Sequence, residues 1–390
     1  MIAPLLPLIT REWGLTPETA GLLASAGYVG MFVGAISCGY LADVLGRRKL
    51  LMLTLTLYSV FTGLCAVAWD VWSMGVMRFI AGIGLGGALP QPGIYLSEYA
   101  PARYRGRFLG LVESSWVYGA LLAMFFGWLL APTYGWRVTF LVAFTPLVLV
   151  PVVFFAVPES IRYLEEKGRV EEALGILKRH GLLPDGGPAK PSIKELWSRF
   201  YRGRTALLWI LWAVLVYTYH GIFIWLPEVY YQMGMEFAKA LWFTLLVTLL
   251  QIPGYYSATF LLDVAGRKPV LASYLAAAGV GCALLGLSTR TTWVVAFSCV
   301  ISFFNLGAWA GLYTYTPELY PTRIRGAGAG TAASIGRLAG IVAPYATRVL
   351  LVVGLWSAFT VFSLAHVLAA VAVLLLGVET KGRVLEEISR

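Results

Sequence analysis

The chain has 390 residues, 59% hydrophobic and only 13% charged, and its mean hydropathy is +0.75. A soluble domain carries about 25% charged residues, so half that share, joined to long uncharged runs, excludes the soluble class and points to the bilayer. A formal net charge of +10 would suit a nucleic-acid partner, but the placement of the charges excludes that reading.

In chain order, apolar spans cover 17–42, 49–68, 71–96, 107–130, 135–157, 205–228, 237–262, 268–287, 292–316, 325–349 and 353–378. Most reach the length of about 20 helical residues that a hydrocarbon core requires. Alternate connections carry Arg47, Arg48 and Lys49; Arg103, Arg105 and Arg107; ten basic residues in 162–204; Arg267 and Lys268; Arg323 and Arg325; and Lys381, Arg383 and Arg390. These are 23 of the 30 basic residues, and the positive-inside rule assigns them to the cytoplasm. The basic balance therefore reports topology: a multi-pass protein of the cell membrane with its central linker and C-terminus cytoplasmic. Cys38, Cys65, Cys282 and Cys299 lie inside apolar stretches with no C-x-x-C pair. They read as small buried residues, and no metal or cofactor is expected.

The halves repeat at an offset of 220 residues. Asp43, Gly46 and Arg47 map onto Asp263, Gly266 and Arg267; Glu98, Pro101, Arg105 and Gly106 onto Glu318, Pro321, Arg325 and Gly326; Glu159 onto Glu379; Leu6, Pro7 and Gly14 onto Leu226, Pro227 and Gly234. A parallel repeat of this kind places a solute path between the halves near the midplane. It divides the chain into an N-terminal bundle (1–157), a charged linker (158–204), a C-terminal bundle (205–379) and a short tail (380–390). Within the linker, 161–180 reads as one amphipathic surface helix. Residues 1–9 match only the last part of the span beginning near 205. Nine residues rise about 14 Å, half of a core of about 30 Å, so about fifteen further helical residues are expected upstream. A chain that starts with half a helix is the alternative. Residues 1–10 lack the basic start and cleavage site of a signal peptide.

Gly39-Tyr-Leu-Ala-Asp43-Val-Leu-Gly46-Arg47-Arg48-Lys49 resembles the signature loop between helices 2 and 3 of the major facilitator superfamily. Leu262-Asp263-Val-Ala-Gly266-Arg267-Lys268 is its weaker copy between helices 8 and 9. Arg78, Gly82, Gly84, Pro92, Tyr95 and Glu98, with Pro158-Glu159-Ser160-Ile161-Arg162 and Glu379-Thr380-Lys381-Gly382, resemble its sugar-porter branch and metabolite-carrying relatives. The resemblance implies an all-α membrane protein of two six-helix bundles with pseudo-twofold symmetry, its first helix truncated. Tyr217-Thr-Tyr219-His220-Gly221 departs from the sugar porters' paired glutamines. Trp225-Leu226-Pro227, Gly307-Ala-Trp309 and Gly336-Arg337 are more similar to carriers of organic acids and nicotinate. The helix-1 carboxylate that often titrates in the family would lie upstream of Met1.

The resemblance also implies a cytoplasmic gate of Asp43, Arg47, Glu98, Arg105, Glu159, Arg162, Asp263, Arg267, Glu318, Arg325 and Glu379, acting as latches rather than solute ligands. Asp43 would face the start of helix 11 near Gly326, where unpaired amides favour an anion. A purely topogenic role for the arginines is the alternative. A charge at the centre of a spanning helix costs about 2.5–3.5 kcal/mol, so Arg78 and Arg337 are expected to face a wet cavity or a carboxylate. Glu113, with Arg78, is a candidate for proton coupling because desolvation favours its neutral form; a fixed salt bridge would explain it equally. His220 either titrates or lines the path by hydrogen bonding. Gln251, Tyr255, Tyr256, Asn305, Trp309 and Tyr313 supply polar and aromatic surface for substrate. His366 is given no transport role. Gly82-Ile-Gly84-Leu-Gly86-Gly87 matches a dinucleotide fingerprint in form, but inside a spanning helix it reads as close helix packing.

The expectation is a secondary active transporter, not an enzyme. It couples protons, or another cation, to symport of a small organic anion by alternating access; no Walker A sequence suggests an ATP-driven pump. Its partners are a small solute, the coupling ion and the lipid bilayer, and it acts as a monomer. A sugar porter, a non-transporting sensor and a truncated inactive product are the alternatives.

Overall fold

The computed structural model describes residues 2–92, 95, 99, 105–180, 193–320 and 322–381, and they are helical with short 3-10 turns. The helices are α1 (Ile2–Trp13), α2 (Pro17–Leu45), α3 (Arg47–Leu64), α4 (Val71–Ala88), α5 (Arg105–Leu141), α6 (Leu149–Ala156), α7 (Ile161–Glu166), α8 (Val170–His180), α9 (Arg202–Gln232), α10 (Phe237–Leu249), α11 (Gln251–Ala265), α12 (Arg267–Gly286), α13 (Thr291–Glu318), α14 (Thr322–Val353) and α15 (Leu355–Leu376). A bilayer offers backbone amides no water, so helices that satisfy their own hydrogen bonds are what such apolar runs can form.

Ten helical stretches among the described residues are long and apolar enough to cross a membrane. One of them, Ser114–Ala156, holds two of the spans read from sequence. They are joined by a tight turn at Gly135, whose φ of 77° favours a residue without Cβ. The surface helix expected over 161–180 is two helices instead. Gly168, at φ 74°, ends α7, and Arg169 N–H returns to the Leu164 carbonyl at 2.8 Å, a helix stop that the amphipathic pattern hides. Ser160 caps the start of α7 by accepting Tyr163 N–H at 3.3 Å.

The chain forms two compact units. One comprises Ala26–Trp116 and Thr133–Gly187; the other comprises Ile2–Ser25, Val117–Pro132 and Pro188–Arg390. In the first unit α3 packs on α4. Glycines also seat α2 against α4: a methyl at Gly30 would collide with the Phe79 carbonyl, and one at Gly82 with the Gly27 carbonyl. That close approach is what the Gly-rich stretch of α4 provides. In the second unit α9 lies against α14, α15 and α1, while α12 packs on α13 and α15, and α11 on α13.

Candidate solute-binding site

The second unit gathers the polar and aromatic residues of three helices. On α13, Asn305, Trp309 and Tyr313 recur every four residues and so share one face. Gly254 lets α11 lie directly on α13, because any side chain there would strike the Phe303 carbonyl. This brings Gln251 and Tyr255 to the same region. From α9, Tyr219 links the two: its hydroxyl donates to Gln251 Oε1 at 3.4 Å, and its ring lies 6.2 Å from that of Trp309. Trp212 closes the wall edge-on, 5.8 Å from Trp309 and 5.5 Å from Tyr313, which are 5.5 Å from each other. Such contacts hold aromatic rings in fixed orientations and contribute about 0.5–1.5 kcal/mol each.

Three buried polar atoms in this box have no hydrogen-bond partner among the described residues: Gln251 Nε2, Trp309 Nε1 and Asn305 Oδ1. A buried polar group left unpaired costs about 1–3 kcal/mol. Two donors and one acceptor set among aromatic rings suit a small planar solute with a charged or polar end. A solute with complementary groups would offset that cost.

Arg337 is half-buried on α14 and close enough to Tyr313 to interact with it electrostatically. Its neighbour Gly336 abuts Trp212; a Cβ there would stand 3.2 Å from the indole. Of the rings in the aromatic box, Tyr313 is the one that the Arg337 charge feels. His220, by contrast, gives its Nδ1–H to the Val216 carbonyl at 2.9 Å and stacks edge-on against Tyr219 at 5.3 Å, which makes it a wall residue. Arg78 sits in the first unit, half-buried on α4, where Gly27 leaves room for it: a Cβ there would lie 3.1 Å from Nη2. Tyr28 and Cys65 are its electrostatic neighbours.

Two residues that the sequence reading passed over belong to this picture. His366 is fully buried and meets Asn305, with Nε2 3.0 Å from Nδ2. A lone histidine in an apolar span carries no signal in sequence that could have revealed this contact. Arg348 is buried on α14, with Nη1 3.9 Å from Glu228 Oε1 and its guanidinium 5.2 Å from the Trp225 ring. Gln232 donates to the same Glu228 oxygen at 2.7 Å. The spacing Trp225-x-x-Glu228 on one helix face was the available clue.

Four of the five charges expected to act as latches in the second half, Asp263, Arg267, Glu318 and Glu379, come together. Arg267 donates to Glu318 at 3.1 Å and to Asp263 at 3.3 Å. Glu379 accepts the backbone N–H groups of Arg267 and Lys268. Thr380 Oγ1 donates to Glu318. In the first half Glu159 accepts Arg48 N–H at 3.0 Å, and the Arg48 side chain donates to the Phe154 carbonyl. Arg47 is half-buried at the start of α3. Glu98 lies outside the described residues, as do the side chains of Asp43, Arg105, Glu113, Arg162 and Arg325.

A wide apolar hollow of about 440 Å³ lies between α9, α14 and α15, lined by Ala213, Tyr217, Leu338 and Val342 among others. Its lining offers almost no polar surface, which suits lipid tails rather than a charged solute.

Residues 14–390 match the family described as Sugar (and other) transporter. The chain is similar to the niacin transporter NiaP of Acinetobacter baylyi, with 39% identity over 100% of this chain and 92% of the relative. It is also similar to the benzoate transport protein of the same organism, with 28% identity over 95% and 84% of the two chains. In fold it resembles the xylose transporter XylE from E. coli, with a TM-score of 0.77 at 20% identity over 94% and 89% of the chains. The helical architecture is that of the major facilitator superfamily.

Proposed function

This chain belongs to the sugar (and other) transporter family, and on that premise we propose that it carries a small aromatic carboxylate by proton-coupled symport and alternating access. The observation that carries the substrate class is the aromatic box of Trp212, Tyr219, Trp309 and Tyr313, with the free donors of Gln251 and Trp309 inside it. Those donors suit a carboxylate, the rings suit a flat body, and the Arg337 charge felt at Tyr313 favours an anion. The 39% identical relative named as a niacin transporter supports the same class.

In this reading Arg78 and Glu113 couple the proton, and the charged networks around Glu159 and Glu379 hold the cytoplasmic ends of the helices. The bundles follow the repeat, 1–157 and 205–379, with the linker and C-terminus cytoplasmic and the monomer as the working unit. A neutral sugar is the second reading, since amide and indole donors also suit hydroxyl groups.

Uptake into proteoliposomes tests the proposal. An imposed proton gradient should drive accumulation of nicotinate or benzoate, and a protonophore should abolish it. Accumulation indifferent to the protonophore would remove the coupling, and uptake of xylose but neither acid would replace the anion with a sugar.

A further inference from the structure

At the edge of the aromatic box, Asn305 forms a fully buried triad with His366 and Thr218, two residues that the transport reading has not used. His366 Nδ1 lies 2.8 Å from the Phe362 carbonyl, an acceptor, so that nitrogen carries the hydrogen. Nε2 is then the lone-pair nitrogen, and it accepts from Asn305 Nδ2 at 3.0 Å. The second hydrogen of Nδ2 is directed to Thr218 Oγ1 at 3.3 Å. Both amide hydrogens are committed. Oδ1 is left as the one amide atom that can meet a neighbour, and it has none among the described residues. Trp309 stands one turn further along the same face of α13.

The geometry points to His366 as a positioning residue that fixes the Asn305 amide with Oδ1 as an acceptor, so that the site selects aromatic anions carrying an N–H or O–H donor. The inference rests on the aromatic box being the solute site. Gln251 and Trp309 supply donors for a carboxylate, and Asn305 supplies the complementary acceptor. A solute with an amino group gains a hydrogen bond there. One whose ring nitrogen is a bare acceptor sets two lone pairs against each other. Without the lone pair of His366 the amide is free to turn over, and the distinction fades.

The test is calorimetric binding of 3-aminobenzoate, 4-aminobenzoate, nicotinate and benzoate to the purified full chain. The wild type should bind at least one aminobenzoate more tightly than nicotinate. His366→Leu should lower that ratio about tenfold, the worth of one hydrogen bond of about 1.4 kcal/mol. His366→Gln, which restores an acceptor, should keep the ratio nearer the wild-type value. Asn305→Leu, which removes the acceptor itself, should lower it as His366→Leu does, and serves if His366→Leu fails to fold. A ratio unchanged in the leucine variants overturns the inference and leaves the box intact, since a purely structural triad would alter stability without altering selectivity. Failure of all four acids to bind the wild type overturns the box and the inference together.

Discussion

The carboxylate of Glu379 accepts the backbone N–H of Arg267 at 2.9 Å, so a residue at the end of one spanning helix caps the start of another. Glu159 does the same for Arg48 at 3.0 Å in the first half, 220 positions earlier in the repeat. The opening amides of a helix have no partner within it, and their dipole favours an anion. Gly46 and Gly266, at φ 90° and 101°, turn the chain so that these amides face the carboxylate. Burial raises the pKa of Glu379, and backbone N–H donors from Lys381, Arg267, Lys268 and Thr380 outweigh it, so the net shift is downward. A carboxyl with a lowered folded pKa adds stability above its unfolded value of about 4.3 and loses it as pH falls through the folded value. Thermal unfolding in detergent should therefore show a Tm that drops on acidification in that range. Glu379→Gln should remove part of this slope and cost about 1 kcal/mol at neutral pH. An identical acid slope in the variant would refute the capping role.

Gly266→Ala should destabilise the fold by about 1–2 kcal/mol, because a left-handed backbone disfavours a Cβ. The new carbon would also press on the Glu379 carboxylate at 2.6 Å. Gly330→Ala, in open space on α14, is the control and should leave Tm unchanged or slightly raised. Equal Tm values for the two variants would contradict the account.

Arg348→Met should cost about 3–5 kcal/mol, since it leaves the Glu228 carboxylate buried without its cation. Adding Glu228→Gln should recover most of that loss. A double-mutant cycle by thermal unfolding measures the coupling, and strict additivity would mean that the two side chains do not interact.

Trp309→Phe keeps the ring contacts but deletes the indole donor, and Gln251→Leu deletes the amide. Each should weaken nicotinate binding about tenfold without changing Tm by much. Arg337→Gln should raise the KM for the anion more than that for any neutral competitor. Affinity unaffected by all three substitutions would move the solute site elsewhere.

The spanning helices were legible because uncharged runs of bilayer length have few other stable forms. The repeat exposed the shared cap: Glu159 and Glu379 stand at matched positions, and each finds the amides that follow a matched glycine. Hydropathy separated the two spans that meet at Gly135, but it did not separate the surface helices divided at Gly168, since a single left-handed glycine changes neither pattern nor composition. Arg348 and Glu228 stand 120 positions apart, and only packing reveals that they are neighbours. Gln251, Trp309 and Tyr313 were found as isolated polar or aromatic positions in apolar helices. Their union depends on Gly254, which lets α11 approach α13. The role of His366 lies in a tautomer set by a backbone carbonyl, and no sequence pattern encodes it.

The most direct test of the solute box is an experimental structure of the full chain with nicotinate or benzoate bound. The account predicts the ring between Trp309, Tyr313 and Tyr219, and the carboxylate within hydrogen-bonding distance of Gln251 Nε2 and Trp309 Nε1. Density for the acid in the apolar hollow beside Leu338, or anywhere that leaves those two donors unbonded, would contradict it.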